Sequence, residues 1–325
     1  MVACQKRRRN AQCIEFESTY MTGKIDLRSV LPYDSSSQRR FRSSTGIEKA
    51  AVGSTYWQSR AKHYEEYSSW CRDLGLFAKC TEPLKSLGEA SRCLDLGGGT
   101  GWVARHDNEL TGRQWTVLDQ CADYGKYIRP PITFVVGDAH RTRFPNSSFD
   151  FILARSLLHY VDCPRVLAEA RRLLCSKGTL VVAQKILAYR GSESEWFSEL
   201  DRLKRPEPTK AWSAKQLLIA ITSAGYILHK VSFLTMPRKI MVREWFESGG
   251  KLSNPNQHRI NKLFRTAPKS VRNYLKLNFT DDEISYLEQW MVVACQPLTS
   301  EAVYKATKSR LPRGRTHGVL HGLQL

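Results

Sequence analysis

No apolar run in this chain approaches the roughly 18 residues that a membrane-spanning helix requires, and no internal repeat is visible. The N-terminal stretch has no apolar core of the kind a secretory signal carries. Nine cysteines are scattered without a C-x-x-C pair, and no His/Cys spacing resembles a metal-ligand set. These absences argue against a membrane span and a metal centre. They predict reduced thiols in an intracellular protein, with Cys93 and Cys295 acting as small hydrophobes in core strands. Acidic residues are also scarce: 31 Asp and Glu face 50 Lys and Arg, for a net charge of +19. Residues 1–46 hold nine basic and four acidic residues, and residues 300–325 hold five and one, so about half of the excess lies in two end segments. A basic surface attracts nucleic acid, anionic lipid or acidic substrates, and equally serves as a solvated face. A basic patch with interleaved aromatics would be the stronger nucleic-acid signal, and none is visible in the linear sequence.

Against these absences stands the run Cys93-Leu94-Asp95-Leu96-Gly97-Gly98-Gly99-Thr100-Gly101. A short apolar strand enters a loop with glycines at alternate positions, the pattern of the first turn of a nucleotide-binding α/β unit. Glycine permits positive φ and lets a ligand approach bare main chain. A helix from Trp102 is expected to aim its N-terminal amides at an anionic group in the loop. Gly99-Thr100-Gly101-Trp102-Val103-Ala104 also fits the dinucleotide fingerprint G-x-G-x-x-A. Asp95 opposes that reading, because a carboxylate there repels a pyrophosphate and attracts a ligand carrying an ammonium. Trp115-Thr116-Val117-Leu118-Asp119 reads as a second strand ending in an acid suited to ribose hydroxyls. Ile132-Thr133-Phe134-Val135-Val136-Gly137-Asp138-Ala139 reads as a third strand ending in another. Strand and helix patterns alternate from Ser91 to Ala183, which implies a parallel sheet with helices on both faces.

The spacing Asp95-x-Gly97-x-Gly99-x-Gly101 resembles motif I of class I S-adenosylmethionine-dependent methyltransferases. Three further segments are similar to that family in order: Phe144-Pro145-Asn146-Ser147-Ser148-Phe149-Asp150 before strand four, Leu157-Leu158-His159-Tyr160-Val161 at a helix start, and Leu173-Leu174-Cys175-Ser176-Lys177-Gly178-Thr179-Leu180 before strand five. Ser176 and Lys177 replace the usual Pro and Gly of the last. The resemblance covers roughly residues 50 to 298 and is closest to the ubiquinone- and menaquinone-biosynthesis type. It implies a Rossmann-like, seven-stranded, mostly parallel sheet with helices on both faces. It also implies an antiparallel last strand beside strand five, preceded by a helical insertion. S-adenosylmethionine is the implied cofactor, held by Asp95, Gly97, Gly99, Gly101, Asp119, Asp138, Ala139, Arg155 and Tyr64. Within that set Asp138 would face the adenine amino group, the Ala139 amide a ring nitrogen, and Tyr64 the sulfonium, since aromatic faces attract cations.

Three segments organise the chain: a basic, disordered extension over 1–46, a methyltransferase domain over 47–299, and a basic, disordered tail over 300–325. Arg and Ser richness in 1–46 suits an organellar transit peptide, and Glu15, Glu17, Asp26 and Asp34 oppose it, so a cytoplasmic location is expected with import left open. Tyr56, Trp57, Ala61, Tyr64, Tyr67 and Trp70 recur at helical spacing, as core-packing aromatics or as a lid over the cofactor. Ser213-Ala214-Lys215-Gln216 is a capping-box start. Residues 239–282 form an aromatic-rich helical insertion that would cover a hydrophobic acceptor. His159 is the candidate general base, with Lys185 and Tyr189 as further acceptor-side residues. The expected activity is methyl transfer to a small aromatic or hydrophobic molecule. An RNA (tRNA) methyltransferase, a catalytically silent cofactor-binding partner protein and a nicotinamide dehydrogenase stand as alternatives.

Overall fold

A computed structural model describes residues 57–58, 61, 64–187, 192–204, 209–241, 254–280 and 283–298. The expected end segments 1–46 and 300–325, together with Tyr56, Tyr189, Trp245 and Phe246, lie outside the described residues.

The first parallel strands are β1 (Cys93–Leu96), β2 (Trp115–Asp119), β3 (Thr133–Val136), β4 (Phe149–Arg155) and β5 (Leu174–Ile186). The later strands are β6 (Tyr226–Met241), β7 (Asn278–Phe279) and β8 (Glu283–Pro297). The sheet runs in the order β3-β2-β1-β4-β5-β8-β6, with the short β7 on β8. β8 lies antiparallel between β5 and β6, as expected. β7 adds an eighth strand to the seven foreseen; at two residues it carried too little pattern to read.

β1 is buried at every position, because helices cover both faces and such a strand reads as an unbroken apolar run. One face packs α4 (Cys163–Leu173) and α6 (Ala214–Ser223) through Val166, Leu167, Leu217 and Ile221. The other packs α2 (Leu74–Thr81) and α3 (Trp102–Thr111) through Leu76, Phe77, Val103 and Ala104. α6 begins with the foreseen capping box, Ser213 and Gln216 each bonding the other's backbone amide. The aromatic pattern before β1 does not form one helix. It breaks into α1 (Tyr64–Tyr67) and a 3-10 turn over Ser69–Arg72, and its rings pack where the chain changes direction.

The insertion forms α7 (Asn254–Arg265) and α8 (Lys269–Leu275). Phe264, Val271 and Leu275 pack with Trp196, Phe197 and Leu200 of α5 (Ser192–Lys204) into a third core. The described apolar residues of the insertion are engaged in that core. Among the described residues, no helix is long and apolar enough to cross a membrane.

One buried polar knot fixes α3, and with it the glycine loop, against β2. Asp107 accepts from Arg113 at 2.9 Å and from Trp115 Nε1 at 2.8 Å, and Arg113 Nη2 donates to the Leu84 carbonyl. Removing one member of such a pair leaves a buried charge uncompensated. Asp107→Ala should destabilise the protein by about 3–5 kcal/mol, read by urea denaturation; a loss below about 1 kcal/mol contradicts this role.

Candidate functional site

Ligands of open α/β sheets bind outside the carboxyl ends of the strands. A cavity of about 760 Å³, open mouth included, lies there. Its wall includes Gly97 and Gly99 of the loop, Asp119 after β2, Asp138 and Ala139 after β3, and Arg155 at the end of β4. Trp57, Tyr64, Tyr124 and Tyr160 supply its aromatic side. Seven of the nine expected cofactor-binding residues thus come together: Gly97, Gly99, Asp119, Asp138, Ala139, Arg155 and Tyr64.

Asp95 and Gly101 are not on that wall. The Asp95 carboxyl lies beneath the loop, so close under Gly98 that a Cβ there would stand 2.6 Å from Asp95 Cγ. Its Oδ2 is buried with no hydrogen-bond partner. Burial pushes its pKa up to about 6, against the opposing charge of Arg155 and with help from Asp119. Gly101 begins α3 at φ 66°, and a Cβ on it would press on Ile128 at 3.0 Å and Val117 at 3.1 Å. It is needed for packing.

The amides of the glycine loop bond within the protein. Gly97 and Gly98 donate to the Leu118 carbonyl at 2.8 and 3.1 Å, and Gly101 donates to Gly98. Gly99 donates to Asp119 Oδ2 at 2.9 Å. With these four amides committed inside the protein, they are not turned toward an anion.

Asp119 Oδ1 also accepts from the Cys121 amide at 2.9 Å. Burial pushes the Asp119 pKa up, and the amides of Cys121, Gly99 and Gln120 offset part of that. Asp138 behaves oppositely. Burial raises it, but the amide and ring of His140 outweigh burial and hold it below the usual carboxylate range. Arg155 donates to the Cys71 carbonyl at 2.9 Å and lies over the Trp70 ring at 5.2 Å. It therefore fastens the segment that covers the cavity. Arg105 pairs with Glu65, and Tyr127 donates to the Ala61 carbonyl at 2.7 Å, adding two more ties. Tyr64 meets Trp70 and Tyr124 edge to face.

His159 is not on the cavity wall. Its Nδ1 lies 3.0 Å from the buried amide of Gln184, so the imidazole is paired into the sheet rather than aimed at an acceptor. Lys185 forms an ion pair with buried Glu288 at 2.8 Å, which occupies it structurally. Burial pushes the Cys71 thiol up to about 11, far from a reactive thiolate. His140, Tyr124 and Ser156 line the cavity and were missed. The position of His140, two residues beyond the strand-ending Asp138, was the available signal, because side chains so spaced fold back on an Asp in a turn.

Asp95 gives a test of the burial argument. An acid whose folded pKa, about 6, lies above its ordinary 3.8 binds its proton more tightly in the folded state. Its contribution is fully present below about pH 4 and is lost as pH rises through 6. Asp95→Asn removes that loss. Its stability relative to the parent protein should rise between pH 4 and pH 7, by up to about 3 kcal/mol, in urea denaturation; a pH-independent difference contradicts burial as the dominant cause.

Comparison with known proteins follows from this geometry. Residues 94–182 match the family described as a methyltransferase domain. A demethylmenaquinone methyltransferase of Thermotoga maritima is 37% identical over 98 residues, covering 29% of this chain. The match spans 43% of that relative's length, less than half. A provisionally assigned methyltransferase of Bacillus halodurans superposes with a TM-score of 0.60 at 16% identity, over 69% of this chain and 99% of that one. The YcgJ protein of Bacillus subtilis superposes with a TM-score of 0.58 at 17% identity, over 68% and 99%. At those identities the two structures speak for the fold. Residues 94–182 match a methyltransferase domain, and the chain shares its Rossmann-like fold with the Bacillus halodurans structure.

Proposed function

We propose that this protein is an S-adenosylmethionine-dependent methyltransferase acting on a small aromatic or hydrophobic acceptor. The observation that carries the reading is the commitment of the amides of Gly97, Gly98, Gly99 and Gly101 to the protein itself. A loop so arranged favours an ammonium and disfavours a pyrophosphate, which separates this cofactor from a dinucleotide.

The other wall residues suit the same ligand. Asp119 retains carboxylate lone pairs for ribose hydroxyls, Asp138 accepts an exocyclic amine, and the Ala139 amide meets a ring nitrogen. Tyr64 presents an aromatic surface to a sulfonium. When bound, the cofactor supplies an electrophilic methyl group. The chain's own part is to bind, to orient and to exclude water. Trp57 packs on Tyr160 with ring centroids 4.9 Å apart, and this aromatic edge of the cavity favours a flat or apolar acceptor. With His159 paired to Gln184, we assign no imidazole base to the reaction. An acceptor that is nucleophilic as bound fits this site. The seven described cysteines are free thiols, which suits the reducing cytoplasm.

Calorimetry tests the cofactor. S-adenosylhomocysteine should bind and NAD should not. Gly99→Val should abolish binding, because Gly99 has φ 56° and its side-chain space adjoins Tyr64 at 3.9 Å. Asp119→Ala should weaken binding about 10–100-fold. Unchanged affinity in both variants refutes the site. For the acceptor, labelled-methyl transfer to the small-molecule fraction of a lysate is expected, and labelling of RNA alone contradicts the small-molecule reading.

A further inference from the structure

His140 has a role that neither the resemblance nor the family match assigns. It follows β3 by four residues and lines the cavity beside Asp138. Its backbone amide donates to Asp138 Oδ1 at 2.9 Å, and its ring Nδ1 lies 2.6 Å from the same oxygen. On the other side of the ring, the Asp162 amide donates to Nε2 at 3.0 Å. An amide N–H can only donate, so Nε2 must carry its lone pair. The ring proton therefore resides on Nδ1 and is donated to Asp138. This fixes the tautomer by an outside partner, as second nitrogens of functional imidazoles are commonly fixed.

Two consequences follow. The lone pair of His140 is occupied by the Asp162 amide, so this imidazole is no base for the acceptor. Both His140 bonds fall on Oδ1, so the carboxylate is held by one oxygen, and Oδ2 has the capacity for a donor from the cavity. Asp162 is also the N-cap of α4, accepting from the Arg165 amide at 3.3 Å. The ring thus bolts the β3 loop to the start of the helix that follows Tyr160 and Val161 on the cavity wall.

We propose that His140 is a positioning residue for nucleoside recognition. It orients the Asp138 carboxylate to accept an exocyclic amine, so that the protein binds an aminopurine in preference to its oxo counterpart. The inference rests on the reading of Asp138 as the adenine-facing acid. Held by the His140 amide alone, a carboxylate more than half exposed (65%) is less firmly oriented for that contact. The ring of His140 supplies the anchor.

The test is a ratio of affinities measured by calorimetry with two probes, S-adenosylhomocysteine and S-inosylhomocysteine, which differ by an amine replaced with an oxygen and by the proton this places on N1, a difference common to parent and variants. The parent protein should prefer the amine about tenfold or more. His140→Ala keeps the backbone bond to Oδ1 and removes the ring, and the preference should fall to about threefold or less. His140→Asn, whose side-chain N–H lies near the Nδ1 position, should recover part of it. Where the alanine variant does not fold, His140→Gln replaces it. An unchanged ratio in either, or equal weakening of both probes, overturns the proposal, since a merely structural role moves both affinities together. Asp138→Asn separates the two layers. If it abolishes the preference and His140→Ala does not, only the His140 proposal fails; if it too leaves the preference intact, the reading of Asp138 fails.

Discussion

The end of β2 holds the glycine loop, and the cavity depends on that tie. The Leu118 carbonyl receives two successive loop amides, and the Asp119 carboxylate receives a third. Each bond spans about twenty residues of sequence, so the loop has its shape only when β1 and β2 are paired in register. The tie commits the amides of Gly97, Gly98 and Gly99 within the protein. It also explains the glycines individually. Gly97 has φ 68° and faces Leu157, Gly98 clears the Asp95 carboxyl, and Gly101 clears Ile128. Gly99 alone among them has open space where a side chain would be.

A second set of contacts closes the site from the other side. Arg155, at the end of β4, is bound to the Cys71 carbonyl and stacked on Trp70, while Trp70 rests on Trp290 of β8 at 5.0 Å. The charge of Arg155 offsets part of the rise that burial imposes on the Asp95 carboxyl. The acid under the loop and the cover over the cavity therefore meet at one guanidinium. A planar, always-charged group that stacks on an aromatic ring suits that junction better than an ammonium would.

The strand-ending acids were legible in the sequence, because each falls where an apolar run stops and the sheet's carboxyl edge begins. The capping box at Ser213 was legible for a similar reason: its partners are three residues apart. What could not be read was set by distant pairing. The committed loop amides depend on β2, His159 is paired to Gln184 twenty-five residues away, and Lys185 is neutralised by Glu288 from the antiparallel strand. In the insertion, Phe264 packs against Trp196, a contact between segments far apart in the sequence. The Asp95 carboxyl lies under Gly98, a matter of packing that spacing does not encode.

The claim most exposed to contradiction is that the loop receives the ammonium of its ligand. Calorimetric comparison of S-adenosylhomocysteine with its analogue lacking the α-amino group tests it most directly. The account predicts that removing the amine weakens binding about tenfold or more. Equal affinity for the two compounds would contradict it.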